Sequence, residues 1–350
     1  MAQSAPETAV YVSNAGSNDI YCLAMNRESG DLTLIEKVAV PGADKPSPAS
    51  LPMAASPDKR FLYAQLRSEP FPVSSFTIGS SNGKLILNGT TPLSAAMAYL
   101  NTDRAGKWLF GASYVSGKVE IRKINPLYLV EDEASQILDT PPKAHCVIID
   151  PTNKFVYVAV LSADEILQFK FDAAKGMLTP NDPPSAKTKQ GSGPRHLTFH
   201  PNNKWAYLLC ETSGTMTLFA IDKDKGTLSE VQTVALDDYK GENAAASDIH
   251  VTPNGKYVYG AVRKTSMLHG FKIDPDKGTL TQIGHWPTET EPRGFNIDPR
   301  GKFLLSVGMK SKSMTVHAID DASGALKPLK QYPMGTQPNW VEIVDLPKPA

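Results

Sequence analysis

Three features of the chain predict an all-β fold: a phrase repeated at long, near-even intervals, a second recurrent turn signal, and strand-like runs between them. The phrase is a turn pair, a basic residue, an aromatic and then an apolar run. It reads Pro57-Asp-Lys-Arg-Phe61, Arg104-Ala-Gly-Lys-Trp108, Pro151-Thr-Asn-Lys-Phe155, Pro201-Asn-Asn-Lys-Trp205, Pro253-Asn-Gly-Lys-Tyr257 and Pro299-Arg-Gly-Lys-Phe303, with first residues 47, 47, 50, 52 and 46 apart. A period of that size marks units that cannot bury their apolar faces alone. The second signal is glycine-x-leucine, at Gly30, Gly83, Gly176, Gly226, Gly278 and Gly324. Helical periodicity is almost absent. Four antiparallel strands per period make the unit of a β-propeller blade, and the count below gives seven blades.

Each element follows in order. Tyr11-Val-Ser13, Ile20-Tyr-Cys-Leu23 and Leu32-Thr-Leu-Ile35 read as the second, third and fourth strands of a blade that lacks its innermost strand. Within each repeat, a strand such as Leu197-Thr-Phe199 or Ile249-His-Val251 runs into the phrase, and Trp205-Ala-Tyr-Leu-Leu209 or Tyr257-Val-Tyr259 runs out of it. Short β-branched and aromatic runs joined by Pro, Asn and Gly turns read as antiparallel hairpins. Thr215 to Ile221 and Met314 to Ile319 read as third strands. The glycine then supplies the positive backbone angle of a tight hairpin, and a fourth strand follows, as in Thr281 to Trp286. After the second phrase, Asn125-Pro-Leu-Tyr-Leu129 replaces the glycine turn, which leaves that outer strand the least regular. Asn339 to Val344 reads as an innermost strand with no blade behind it. Joined to the N-terminal strands it completes a seventh blade and removes the open sheet edges. One propeller domain over 1–350 is expected, ordered from about 9 to 345.

Composition narrows the function classes. Lysine plus arginine equals aspartate plus glutamate at 36 each, so no global field favours nucleic acid or a membrane surface. No run approaches the ~20 apolar residues of a membrane span. The start lacks the basic-then-apolar order of a signal peptide, so a cytosolic protein is expected, although an exported form trimmed of its leader has the same appearance. Cys22, Cys146 and Cys210 are odd in number and lie in or beside apolar runs, as buried free thiols do. The HExxH motif and CxxC pairs are both missing, so no metal site is indicated.

The repeat also serves as a ruler. Six residues before each phrase the innermost strand enters; ten after it the second strand leaves, at the same end of the hairpin. The first offset selects Leu51, Ala98, His145, Arg195, Ser247 and Arg293, and the second Arg67, Tyr114, Leu161, Glu211, Arg263 and Met309. Charges converging on one channel rim are costly without a purpose. A structural ion-pair ring around Glu211 is the plain explanation. The surplus of arginines points instead to an anionic ligand, for which the guanidinium fork suits carboxylate or phosphate. His196 and His250, beside these positions, are expected as hydrogen-bonded core histidines.

The strings Gly193-Pro-Arg-His196 with Phe199-His-Pro201, Asp248-Ile-His250 with Thr252-Pro253, Thr290-Glu-Pro-Arg-Gly-Phe-Asn296, and Gly335-Thr-Gln-Pro338 with Trp340 resemble the propeller-type 6-phosphogluconolactonase family. Its superfamily includes fungal carboxy-cis,cis-muconate cyclase. The resemblance implies a seven-bladed propeller and lactone chemistry without an obligatory cofactor. It places the family's rim histidine, arginines and glutamate on His145, Arg195, Glu211, Arg263 and Arg293, the five that the ruler had selected. It is weakest over residues 44–143, where Leu51-Pro-Met-Ala54 and the Ser68-Glu-Pro-Phe-Pro72 loop depart from the family pattern.

The expectation is hydrolysis of a sugar lactone by water attack on its carbonyl. His145 and Glu211 are the general base and acid in an unassigned order, and Arg195 joins them as an oxyanion contact. Arg263, Arg293, Arg67 and Tyr114 are expected to bind substrate. The alternatives are muconate lactonisation on the same arginines, and a non-catalytic scaffold, which would carry an apolar or aromatic rim instead. A small anionic or sugar lactone is the expected partner, and a monomer the expected state.

Overall fold

The computed structural model describes residues 6–47, 49–237 and 242–346, and among them every strand belongs to one of seven four-stranded antiparallel sheets. Blades 1 to 6, each containing one copy of the phrase, begin with the inner strands Met53–Ala55, Tyr99–Thr102, Ala144–Ile149, Pro194–Phe199, Ala246–Val251 and Pro292–Ile297. Blade 7 closes the ring. Its inner strand, Pro338–Asp345, pairs antiparallel with Thr8–Asn14, which continues into Asp19–Met25 and Leu32–Ala39. The irregular outer strand of blade 2 is present as Val130–Asp139. Cys22, Cys146 and Cys210 are free and buried.

Second strands are buried along their whole length, inner strands are buried or half-buried, and outer strands are mostly exposed. The two recurrent signals meet between blades. The phrase aromatic of one blade lies under the turn glycine of the next: Trp108 under Gly176, Phe155 under Gly226, Trp205 under Gly278, Tyr257 under Gly324 and Phe303 under Gly30. Two residues past the aromatic, Tyr157, Tyr207 and Tyr259 donate their hydroxyls to the carbonyls of Gly226, Gly278 and Gly324 at 3.1, 2.9 and 2.7 Å. The phrase turn is itself held by the residue just before it. The Asp150 carboxylate accepts from the amides of Lys154 and Phe155, both at 2.8 Å, and Asp103 and Asp298 repeat the arrangement. Gly226 has φ +67°, and a Cβ there would sit 2.1 Å from the Phe155 ring. Gly226→Ala is therefore expected to cost roughly 2–4 kcal/mol, backbone strain adding to overpacking, as a lower denaturant midpoint would show.

Five consecutive inner strands, in blades 3 to 7, carry a β-bulge at the end that opens on one channel mouth. In blade 3, Ala144 pairs with Val160 and Cys146 with Ala159, leaving His145 as the extra residue. Arg195, Arg293 and Asn339 are extra in the same way, and in blade 5 Ser247 and Asp248 together face Ala261. A bulge bends its strand and re-aims the extra side chain.

Candidate active site

The mouth opens into a cavity of about 520 Å³ lined by Ala49, Arg67, Phe71, Ala96, Ala98, Tyr114, Val115, Ser116, His145, Glu211, Arg263 and Arg293. Six of the seven residues expected from the sequence therefore face one space. The wall is divided. Guanidinium groups, Glu211 and His145 come from blades 1 and 3 to 6, while Phe71, Val115 and three alanines from blades 1 and 2 and their connections make the apolar side. Phe71 belongs to the loop of residues 68–72, and it reaches the cavity with φ +60°. Tyr114 meets His145 edge to face, with ring centroids 5.6 Å apart.

Arg195 is the exception. It is 1% exposed and lies behind the wall. Its Nε donates to Glu211 Oε2 at 2.8 Å, while Arg263 Nη2 meets Glu211 Oε1 at 3.0 Å, so both carboxylate oxygens are occupied. The plain ion-pair explanation thus holds for Arg195, Glu211 and Arg263. It does not extend to Arg293, which makes no hydrogen bond or ion pair with any described residue. Arg67 Nη1 donates to Ser50 Oγ at 3.0 Å.

Electrostatics follow from burial and this charge surplus. Burial, then Arg195, Arg263 and Arg67, lower the Arg293 pKa well below the usual guanidinium value. Burial pushes the Glu211 carboxyl up, but Arg195, Arg263 and Arg293 outweigh it and hold the pKa below the usual carboxylate range. Burial and then the neighbouring Arg195, His196, Arg293 and Arg67 depress His145 well below an ordinary histidine, so it is neutral at pH 7. His145 Nδ1 is buried with no hydrogen-bond partner among the described residues.

Two polar residues at the mouth escaped the ruler. Asp248, the second residue of the blade 5 bulge, accepts from His196 Nδ1 at 2.8 Å, from the amides of Ile249 and Phe295 at 3.0 and 3.1 Å, and contacts His250 Nε2 at 3.3 Å. His196 is a buried, hydrogen-bonded histidine, as expected, whereas His250, also held by Asp248, is half-buried and not in the core. Asn339, the extra residue of the closing blade, accepts from the Leu51 amide at 2.9 Å and joins that blade to the entry of blade 1. The Pro-x pairs at 194, 292 and 338 were the available signal for Asn339.

Fold and mouth together define a seven-bladed propeller whose channel opens on a cationic cavity with a neutral imidazole in its wall. The chain belongs to the family described as Lactonase, 7-bladed beta-propeller, whose model it matches over residues 7–343. It is 38% identical to the 6-phosphogluconolactonase of Pectobacterium atrosepticum over 293 residues, covering 83% of this chain and 85% of the relative. The 6-phosphogluconolactonase of Serratia proteamaculans is likewise 38% identical, over 83% of this chain and 84% of the relative. Among solved structures, a Bacteroides fragilis protein provisionally assigned as a 6-phosphogluconolactonase superposes with a TM-score of 0.87 at 30% identity, covering 97% of this chain and 98% of that one. No helix among the described residues is long and apolar enough to cross a membrane.

Proposed function

We infer that the chain hydrolyses a sugar lactone at this mouth, with His145 acting first as general base and then as general acid. The observation that carries the reading is the pairing, in one cavity, of a neutral imidazole with Arg293, a guanidinium that has no partner among the described residues. The lactonase membership and the curated relatives support it.

The chemistry follows from the side chains. His145 takes a proton from water as the oxygen attacks the lactone carbonyl. Arg263 and Arg293 stabilise the tetrahedral oxyanion. The intermediate collapses, the ring C–O bond breaks, and the imidazolium returns its proton to the leaving ring oxygen. Lactone and water become one hydroxy acid. An imidazolium in a field of arginines is a strong acid, which suits protonation of an alkoxide. A bound anion offsets that field and makes the imidazole more basic when the water is attacked. Glu211, ionised and held at both oxygens, has no proton to give, and its role is to fix Arg263. Arg195 holds Glu211 from behind. Arg67 and Tyr114 bind the remainder of the substrate.

The direct test compares a phosphorylated aldonolactone, a plain aldonolactone and a carboxymuconate. Accelerated opening of an aldonolactone with no turnover of the muconate is the expected result. The reading fails if neither lactone opens faster than in buffer. The pH profile gives a second check. The base must be neutral, and its pKa lies below 6.5, so activity is lost only as acid protonates it. In kcat/KM the acid limb is expected clearly below pH 6.5, with a plateau through neutrality. A midpoint at or above 6.5 would assign the base to another group.

A further inference from the structure

We propose that Asp248 is a positioning residue: it fixes the tautomer of His196, which allows Arg195 to hold Glu211 and, through Glu211, the cavity-facing Arg263. The kinetic part of the test rests on the lactone-hydrolysis reading; the spectroscopic part does not.

The argument is one of donors and acceptors along a single chain. Asp248 Oδ1 lies 2.8 Å from His196 Nδ1, and His196 Nε2 lies 3.0 Å from Arg195 Nη1. Arg195 Nε is 2.8 Å from Glu211 Oε2, and Glu211 Oε1 is 3.0 Å from Arg263 Nη2. A guanidinium only donates, so His196 Nε2 must offer its lone pair. The ring proton must then be on Nδ1, where the Asp248 carboxylate accepts it. The opposite tautomer would set two N–H groups against each other at Nη1 and set the bare Nδ1 lone pair against the Asp248 carboxylate. The charge state agrees with this. Burial and then Arg195 push the His196 imidazole down to about 4, so it carries one proton at neutral pH.

The packing leaves the His196 ring little freedom to turn. Tyr99 lies edge-on with its centroid 5.1 Å away, His145 is 5.1 Å away and Trp340 6.3 Å. The chain starts on blade 5 at Asp248, crosses to blade 4 for His196, Arg195 and Glu211, and returns to blade 5 at Arg263. It therefore reaches the cavity wall without a residue that faces the cavity until Glu211. Asp248 also bonds to the blade 6 amide of Phe295, so a purely architectural role in joining three blades is the competing explanation.

Nitrogen-15 NMR of the histidine side chains, combined with a double-mutant cycle, separates the two. In the wild type His196 is expected as the neutral Nδ1–H tautomer, with that tautomer no longer fixed in Asp248→Ala. Asp248→Ala is expected to lower kcat for the lactone roughly 10- to 100-fold, the usual scale for partners one step behind a functional group. In an Arg195→Met background the same substitution should cost less than about threefold, because the path it acts through is already gone. An Nε2–H tautomer in the wild type overturns the proposal, and so does an Asp248→Ala loss that is equally large in both backgrounds. If Asp248→Ala does not fold, the wild-type tautomer and a cycle of His196→Leu with Arg195→Met decide, and additive losses count against the proposal. A wild type that opens no lactone would remove the reaction assignment while leaving the tautomer result standing.

Discussion

His145→Ala is expected to lower kcat/KM for the sugar lactone by roughly 100- to 10,000-fold, the span of a positioned acid–base group, with thermal unfolding close to that of the wild type. The separation of the two effects comes from the surroundings of the ring. His145 Nδ1 has no partner among the described residues, so truncation strands no donor or acceptor there. Its backbone is the extra residue of a bulge, so the pairs Ala144 to Val160 and Cys146 to Ala159 keep their register. The ring also faces an existing cavity, so alanine enlarges a space that is already open. Added imidazole should restore part of the rate by entering that space. Retention of more than a tenth of the wild-type rate would show that another group activates the water. Glu211→Gln tests the same assignment from the other side: its loss should follow displacement of Arg263, and it should leave the acid limb of the pH profile in place.

Arg293→Met is expected to act in opposite directions on binding and on stability. A guanidinium that is partly desolvated, has no partner among the described residues and is surrounded by Arg195, Arg263 and Arg67 is unfavourable in the ligand-free protein. Methionine of similar reach removes that repulsion, so the melting temperature should rise. Binding loses a charge-assisted contact of about 1.5–3 kcal/mol, which corresponds to a KM roughly 10- to 100-fold higher where KM reports affinity. Such exchanges of stability for function are common where a site holds charge in reserve for its ligand. A lower melting temperature with unchanged KM would make Arg293 part of the frame.

The frame was legible because its residues repeat. Phe155, Trp205 and Tyr257 recur at one position since each must cover the turn glycine of the next blade, and that requirement is identical around the ring. The mouth was legible for the reverse reason: at two fixed offsets the repetition breaks into His145, Glu211, Arg263 and Arg293. What the ruler lacked was depth and the bulges. It counted along strands, so it placed Arg195 on the rim, although that side chain turns behind Glu211. In blade 5 it stopped at Ser247, whose hydroxyl is bonded to the Pro292 carbonyl at 2.6 Å, one residue short of Asp248. Asn339 lay outside its reach altogether. The phrase sits between the inner and second strands, and in the closing blade those strands come from opposite ends of the chain, so there is no phrase from which to count.

The bulges allow the ring's chemistry and its architecture to be edited separately. At His145, Arg195, Arg293 and Asn339 the extra residue lies outside the paired register, which continues unbroken on either side. At His145 and Arg293, which face the cavity, a substitution alters what the mouth presents without asking any neighbouring strand to shift. Descendants of one ring could exchange acids, bases and anion contacts one position at a time, each intermediate still closed, and so arrive at different lactones or at other reactions without passing through an unfolded ancestor.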